Sequence, residues 1–182
     1  MGNRGVIHHE KQITKLFKHK AWITCALEFK GRTRAVMSPS RWTELFFLDE
    51  ATAFAAGHRP CFECRRADAL KFKSCWIQGN PEYNFSMTTS INRIDEIIHR
   101  ERINNAKEKV THVSPAYDVP EGTFVVLQED PYVVFENRLY RWTPFGYEEG
   151  IRFPETSTLT VLTPRSIVQA FRAGYVPQRN GM

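Results

Sequence analysis

Cys61 and Cys64 are the residues of this chain whose type and spacing most directly imply chemistry. A residue three positions on returns to the same side of a helical turn, so two thiolates can share one tetrahedral ion at about 2.3 Å each. Pro60 is a favoured helix-start residue, and the spacing predicts a helix from Cys61 to about Ile77. The free N–H groups and dipole of such a first turn favour thiolate over thiol. Zinc suits this pair. A thioredoxin-like dithiol also uses a helix N-terminus but follows a strand in a βαβ unit, whereas a helix ending in Gly57 precedes this motif. Two free buried thiols are the plain alternative.

Two cysteines do not close a site, so further ligands must come from elsewhere. Cys25 and His8 are the expected pair, giving a Cys₃His set; His9 can substitute for His8, and His58 is the nearest competitor. Cys25 alternates in phase with Ile23 and Leu27, which equally fits a strand core residue. Cys75 lies about three helical turns beyond Cys64, too far for the same ion, and reads as core.

Other groups offer competing chemistry. His8-His9-Glu10 followed by Pro60, Cys61 and Cys64 spells the H-x-E…P-C-x-x-C order of zinc deaminases, but only seven residues precede His8 where that fold needs strands. His99 and Glu101, beside Arg102 at the edge of an apolar helix face, are the weak catalytic candidates for acid–base work; a solvated helix face with local ion pairs is their plain reading. Arg59, Arg65 and Arg66 flank the cysteines, and Arg32, Arg34 and Arg41 lie around a hairpin. A metal tying hairpin to helix would gather these six into a phosphate-contacting surface for DNA or RNA.

The elements that must position these residues follow from pattern. Trp22 to Phe29, a turn at Lys30-Gly31, and Thr33 to Met37 read as a β-hairpin, with a third strand from Trp42 to Leu48. Asp49 and Glu50 cap a short helix through Ala56 that Gly57 stops. After the break at Gly79-Asn80-Pro81, Ser90 caps a helix to about Lys109 with Ile91, Ile94, Ile97 and Ile98 as its stripe. Short strands are expected at Thr123–Leu127, Tyr132–Phe135, Leu139–Trp142 and Leu159–Leu162, with a tight turn at Glu136 to Arg138, then a helix from Pro164 to Ala173. The expected class is α+β: a zinc-stapled hairpin-and-helix unit at 1–78, a connecting helical segment at 79–112, and a small antiparallel sheet with a C-terminal helix at 113–182, able to pack as one domain.

The segment from Glu44 to Cys64, with its strand, short helix, Ala56-Gly57-His58-Arg59-Pro60 and both cysteines, resembles the second half of the metal-binding domain of the Ada DNA-repair family. The whole chain is similar to a group of bacterial proteins sharing this segment. The resemblance implies a zinc site of which Cys61 and Cys64 form half. The family's first pair, Cys-x-x-x-Cys, has no counterpart between Gly31 and Arg41, so its methyl-transfer reaction is not implied.

Composition bounds the rest. At 182 residues and 42% hydrophobic, the chain can bury a core. Apolar runs such as Leu45–Leu48 fall far short of the ~20 residues of a membrane-spanning helix. Met1 to Lys20 carries spaced charges rather than a secretory signal, so the expected location is the cytoplasm, where disulfides are rare. Net charge is +5, and residues 1 to 76 hold 14 of the 25 Lys/Arg but 7 of the 20 Asp/Glu, a basic half that attracts polyanions. The function expected is a zinc-binding, nucleic-acid-associated protein with a structural metal, and the alternative is a zinc- or His/Glu-dependent enzyme acting on a small molecule or nucleobase.

Overall fold

The computed structural model describes residues 1–31, 35–154 and 158–179, and the chain is α+β. Its first half is built from very short strands: β1 (Gly2–Asn3), β2 (His8–His9), β3 (Gln12–Ile13) and β4 (Ile23–Thr24). Then come α1 (Glu50–Ala55), β5 (Arg59–Pro60), α2 (Arg66–Gly79) and α3 (Ile91–Arg102). The second half holds β6 (His112–Pro115), β7 (Phe124–Leu127), β8 (Asp130–Phe135), β9 (Arg138–Thr143), β10 (Gly146–Tyr147), β11 (Ile151–Arg152), β12 (Thr158–Val161) and α4 (Arg165–Arg172).

In the second half β7, β8, β9, β12 and α4 form close to where the pattern puts them, while β6, β10 and β11 were not read from sequence. Strands run antiparallel in the order β10-β9-β8-β7-β12-β6, with β11 also on β9. Glu136 and Asn137 both adopt positive φ, the two-residue turn whose twist suits a hairpin between β8 and β9. One face buries Val125, Val134, Leu139, Leu159 and Val161, and the other buries Phe124 and Val133. Arg165 to Arg172 turns Ile167, Ala170 and Phe171 onto Phe72 and Trp76 of α2 and Ile94, Ile97 and Ile98 of α3. The apolar clusters therefore cross residues 78 and 112: one joins Phe54 of α1 to α2, α3 and α4, and another joins Ala51 and Ala55 to Phe124 and Val133.

Helix ends follow capping chemistry. Asp49 Oδ1 accepts from the Thr52 N–H at 2.8 Å, and Ser90 Oγ caps α3. Gly57, at φ +77°, ends the α1 turn, and a Cβ there would collide with the Arg102 side chain. Only glycine satisfies both demands.

The hairpin expected over residues 22–37 does not form as read. β4 pairs antiparallel with β1 and parallel with β5, so its partners lie far away in sequence; Thr33 and Arg34 fall outside the described residues. Trp42 to Leu48 contributes one isolated bridge, Gly2 with Leu45, rather than a strand. α2 starts at Arg66, not Cys61, and α3 stops at Arg102, short of Lys109. No helix is long and apolar enough to cross a membrane among the described residues.

Candidate metal centre

The parallel pairing of β4 and β5 builds the site. Register sets Ile23 against Arg59 and Thr24 against Pro60, so the next residues along, Cys25 and Cys61, leave the ladder side by side. Thr24 C=O accepts from the Cys61 N–H at 2.9 Å, and Cys25 N–H donates to the Met1 carbonyl at 2.7 Å. The chain then makes a turn rather than a helix at Cys61 to Cys64, closed by the Arg65 N–H on the Cys61 carbonyl at 3.0 Å. This turn brings the third sulfur round.

The sulfurs of Cys25, Cys61 and Cys64 all lie within 4.8 Å of one another. Cys25 and Cys61 are buried and Cys64 is half-buried. Two sulfurs bound to one tetrahedral zinc at ~2.3 Å sit about 3.8 Å apart, so a small contraction would close this trio on an ion. Backbone N–H groups already point at the sulfurs: Ala26 N–H donates to Cys64 Sγ at 3.3 Å and Glu63 N–H to Cys61 Sγ at 3.4 Å. Such bonds support thiolate charge and orient ligands.

The three thiols differ in acidity. The thiol hydrogen bond from Cys25, ahead of the opposing effect of burial, holds the Cys61 pKa down to about 5. The same contact, then burial, pushes the Cys25 thiol up, and burial raises Cys64. A soft divalent cation would favour ionisation of all three.

Of the four metal ligands expected, three are brought together and His8 is not. Its Nδ1 lies 2.6 Å from Thr43 Oγ1, on the short β2–β3 hairpin that carries His9 and turns at Glu10. Neither histidine joins the sulfur cluster, so the deaminase-like set is not assembled. His58 is fully buried, with Nε2 accepting from Arg4 Nε at 3.2 Å; burial, then Arg4, keeps it neutral. Cys75 is part of the helical core, as read.

The six-arginine surface is only partly available. Arg59 is buried and donates twice to Asp95, at 2.8 and 2.7 Å. Arg65 is held by Glu50 at 2.8 Å and by Asp68 at 2.7 Å, and it also donates to Thr24 Oγ1. Arg41 and Arg66 are exposed, whereas Arg32 and Arg34 lie outside the described residues. Spacing alone could not reveal Asp95 as the partner of Arg59, because 36 residues separate them.

His99 and Glu101 face different parts of the molecule and form no catalytic pair. His99 Nδ1 lies 2.7 Å from Arg102 Nη2, with its ring against Phe17; burial first, then Arg102, lowers its pKa to about 4. Glu101 accepts from the Ser166 N–H at 2.9 Å and from its hydroxyl. It thus caps α4, whose own N-cap, Pro164, has no side-chain acceptor.

Sequence reasoning missed Glu44. Its Oε2 accepts from the Met37 N–H at 2.8 Å, while its buried Oε1 has no partner. Glu44 shares a cleft with Cys25, Cys61 and Cys64. A lone acid inside a hydrophobic stretch was the available signal.

No family model, curated protein or solved structure matches the chain. The resemblance to the Ada metal-binding domain therefore rests on residues 44 to 64 alone.

Proposed function

We propose that the chain binds one zinc ion through Cys25, Cys61 and Cys64 and presents its fourth coordination position to a small molecule. The observation that carries this reading is the ligand count. Three sulfurs converge, and no fourth His, Cys, Asp or Glu joins them among the described residues. Closed structural zinc sites use four protein ligands, while reactive sites keep one position for water or substrate. The three cysteines also line a cleft instead of packing into solid core. In this reading Cys25, Cys61 and Cys64 would hold the ion between β4 and the turn after β5, where it would supply Lewis acidity beside the cleft.

The nucleic-acid reading keeps one specific observation, the exposed Arg66 at the start of α2 with Arg41 likewise exposed. Of the arginines expected on this surface, two of the four described are tied to acids inside the fold, so this reading stands second.

Elemental analysis of the purified full chain tests the proposal. One zinc per chain is expected, with loss in Cys25→Ser, Cys61→Ser and Cys64→Ser and full retention in His8→Ala. Equal zinc in wild type and all three cysteine variants would overturn it.

A further inference from the structure

A second surface carries charge that the fold leaves unanswered. Between His8 and Lys20 the chain holds four lysines, Lys11, Lys15, Lys18 and Lys20, against one acid, Glu10. Lys20 meets Glu96 at 3.8 Å, whereas Lys11, Lys15 and Lys18 are exposed and form no ion pair among the described residues. Lys107, exposed on the loop after α3, joins Lys15 in lining a groove of about 440 Å³ whose other residues are Ile13, Thr14, Leu16 and Phe17. No Asp or Glu lines this groove among the described residues, and it shares no residue with the sulfur cleft or with the six arginines. Exposed lysines are ordinarily just solvated, so their framework and their neighbours decide what they can do.

The framework is fixed. The Ile7 carbonyl accepts from the Thr14 and Lys15 N–H groups at 2.9 and 3.2 Å, the Arg4 carbonyl accepts from the Lys18 N–H at 2.8 Å, and the Phe17 ring packs against Trp22 and His99. The Lys107 N–H donates to the Asn104 carbonyl at 3.0 Å, and Asn104 Nδ2 donates to Oε2 of the adjacent Glu108 at 3.0 Å. Lys11 and Lys107 sit at φ +64° and +65°, left-handed positions that glycine or asparagine fills at lower cost. Lysine thus occupies two turn positions where the backbone favours another residue.

The neighbours are apolar. Ile13 and Leu16 are 51% and 45% exposed, a floor that a bare anion would not use. A polymer with phosphates along its backbone and flat bases beside it uses both the lysines and the floor. A bilayer instead needs apolar side chains that protrude, and these line a recess. We infer that this groove binds single-stranded nucleic acid, with Lys11, Lys15, Lys18 and Lys107 on backbone phosphates and Ile13, Leu16 and Phe17 against a base. No cysteine lines it, so it stands or falls apart from the metal centre.

The test adds zinc-treated full-length protein to a fluorescein-labelled, mixed-sequence DNA strand of about 15 nucleotides and to an abasic strand of the same length, reading anisotropy at several salt concentrations. The intact strand is expected to bind with a log–log salt slope of about −3, as four phosphate contacts on a single strand give. Lys15→Gln with Lys107→Gln is expected to weaken it by about tenfold and to halve the slope to about −1.4. Removing the bases, which needs no protein variant, is expected to cost about fivefold or more, and so is Ile13→Ser with Leu16→Ser on the intact strand. Arg41→Gln with Arg66→Gln is expected to change nothing. No binding at low salt, equal affinity for intact and abasic strands, indifference to the paired lysine substitution, or tighter binding to phosphatidylserine vesicles than to the strand would overturn the inference. Lysine-dependent binding by protein that takes up no zinc supports the groove and overturns the metal centre alone; one zinc per chain without strand binding does the reverse.

Discussion

Among the described residues, every side chain of the three apolar clusters comes from Ala51 or later, and none from Met1 to Glu50 belongs to them. The later region stacks Phe54, Phe72, Trp76, Ile94, Ile98, Ile167 and Phe171 into a helical core and backs it with a seven-stranded sheet. The earlier region has four two-residue strands and no helix before Glu50. What holds it is a handful of polar and soft contacts. Trp22 is clasped between Arg4 and Arg102, at 3.7 and 3.8 Å from its ring centroid, while Arg102 also donates to the carbonyls of Gly57 and Lys20. Thr43 ties Ile7 and His8 to the segment before α1. The Cys25 sulfur of this region also meets those of Cys61 and Cys64. The comparison teaches that extended apolar packing holds the later region, while the earlier one leans on hydrogen bonds and cation–π contacts around a few buried side chains such as Ile7 and Trp22.

The largest expected effect separates the two by indifference to metal. Phe72→Ala removes a ring of zero exposure from the helical core and should cost about 3–5 kcal/mol. The loss in denaturant should be equal in zinc and in chelator. A strong dependence on zinc would mean that core and metal unit unfold as one, and the division would fail.

Cys25→Ala sharpens the other side. Metal binding and folding are coupled, so this substitution should lower the melting temperature by on the order of 10 °C in zinc buffer and far less in chelator. Hydrogen exchange should show residues 1–31 and 35–49 losing protection while β7, β8 and β9 keep theirs. Equal losses in both buffers would make Cys25 an ordinary core thiol.

A smaller effect comes from acid. Burial lowers His58 well below its ordinary value and His99 to about 4, and both rings touch Trp22. The folded chain refuses protons that the unfolded chain accepts, so the contribution is full above about pH 6.5 and is lost as pH falls towards 4. In chelator, to exclude metal release, melting temperature should fall over that window, and His99→Gln should flatten the slope. An unchanged slope would remove His99 from the account.

What was legible in the sequence divides along the same line. Asp49, Ser90 and the Glu136-Asn137 turn are local devices, and the elements they bound form close to where the pattern puts them. Cys25 was expected near Cys61 and Cys64, and its sulfur does lie close to theirs, although the hairpin expected to carry it does not form as read. Its true neighbour is Cys61 through a parallel pairing of two-residue strands, too short to leave any periodicity. Pro60 suggested a helix start but closes β5, and Cys61 to Cys64 uses its backbone to gather sulfurs, so α2 waits until Arg66. Arg59 and Arg65 looked available because their acids, Asp95 and Glu50, are placed by the fold rather than by spacing.

X-ray absorption at the zinc K-edge of the purified protein tests the central claim most directly. Three sulfur neighbours at about 2.3 Å and one oxygen or nitrogen neighbour are predicted, with the light-atom shell altered when a small-molecule ligand is added. The sulfur count should fall in Cys25→Ser. Four sulfurs, a shell dominated by nitrogen from histidine, or no bound zinc at all would contradict a three-thiolate centre with an open fourth position.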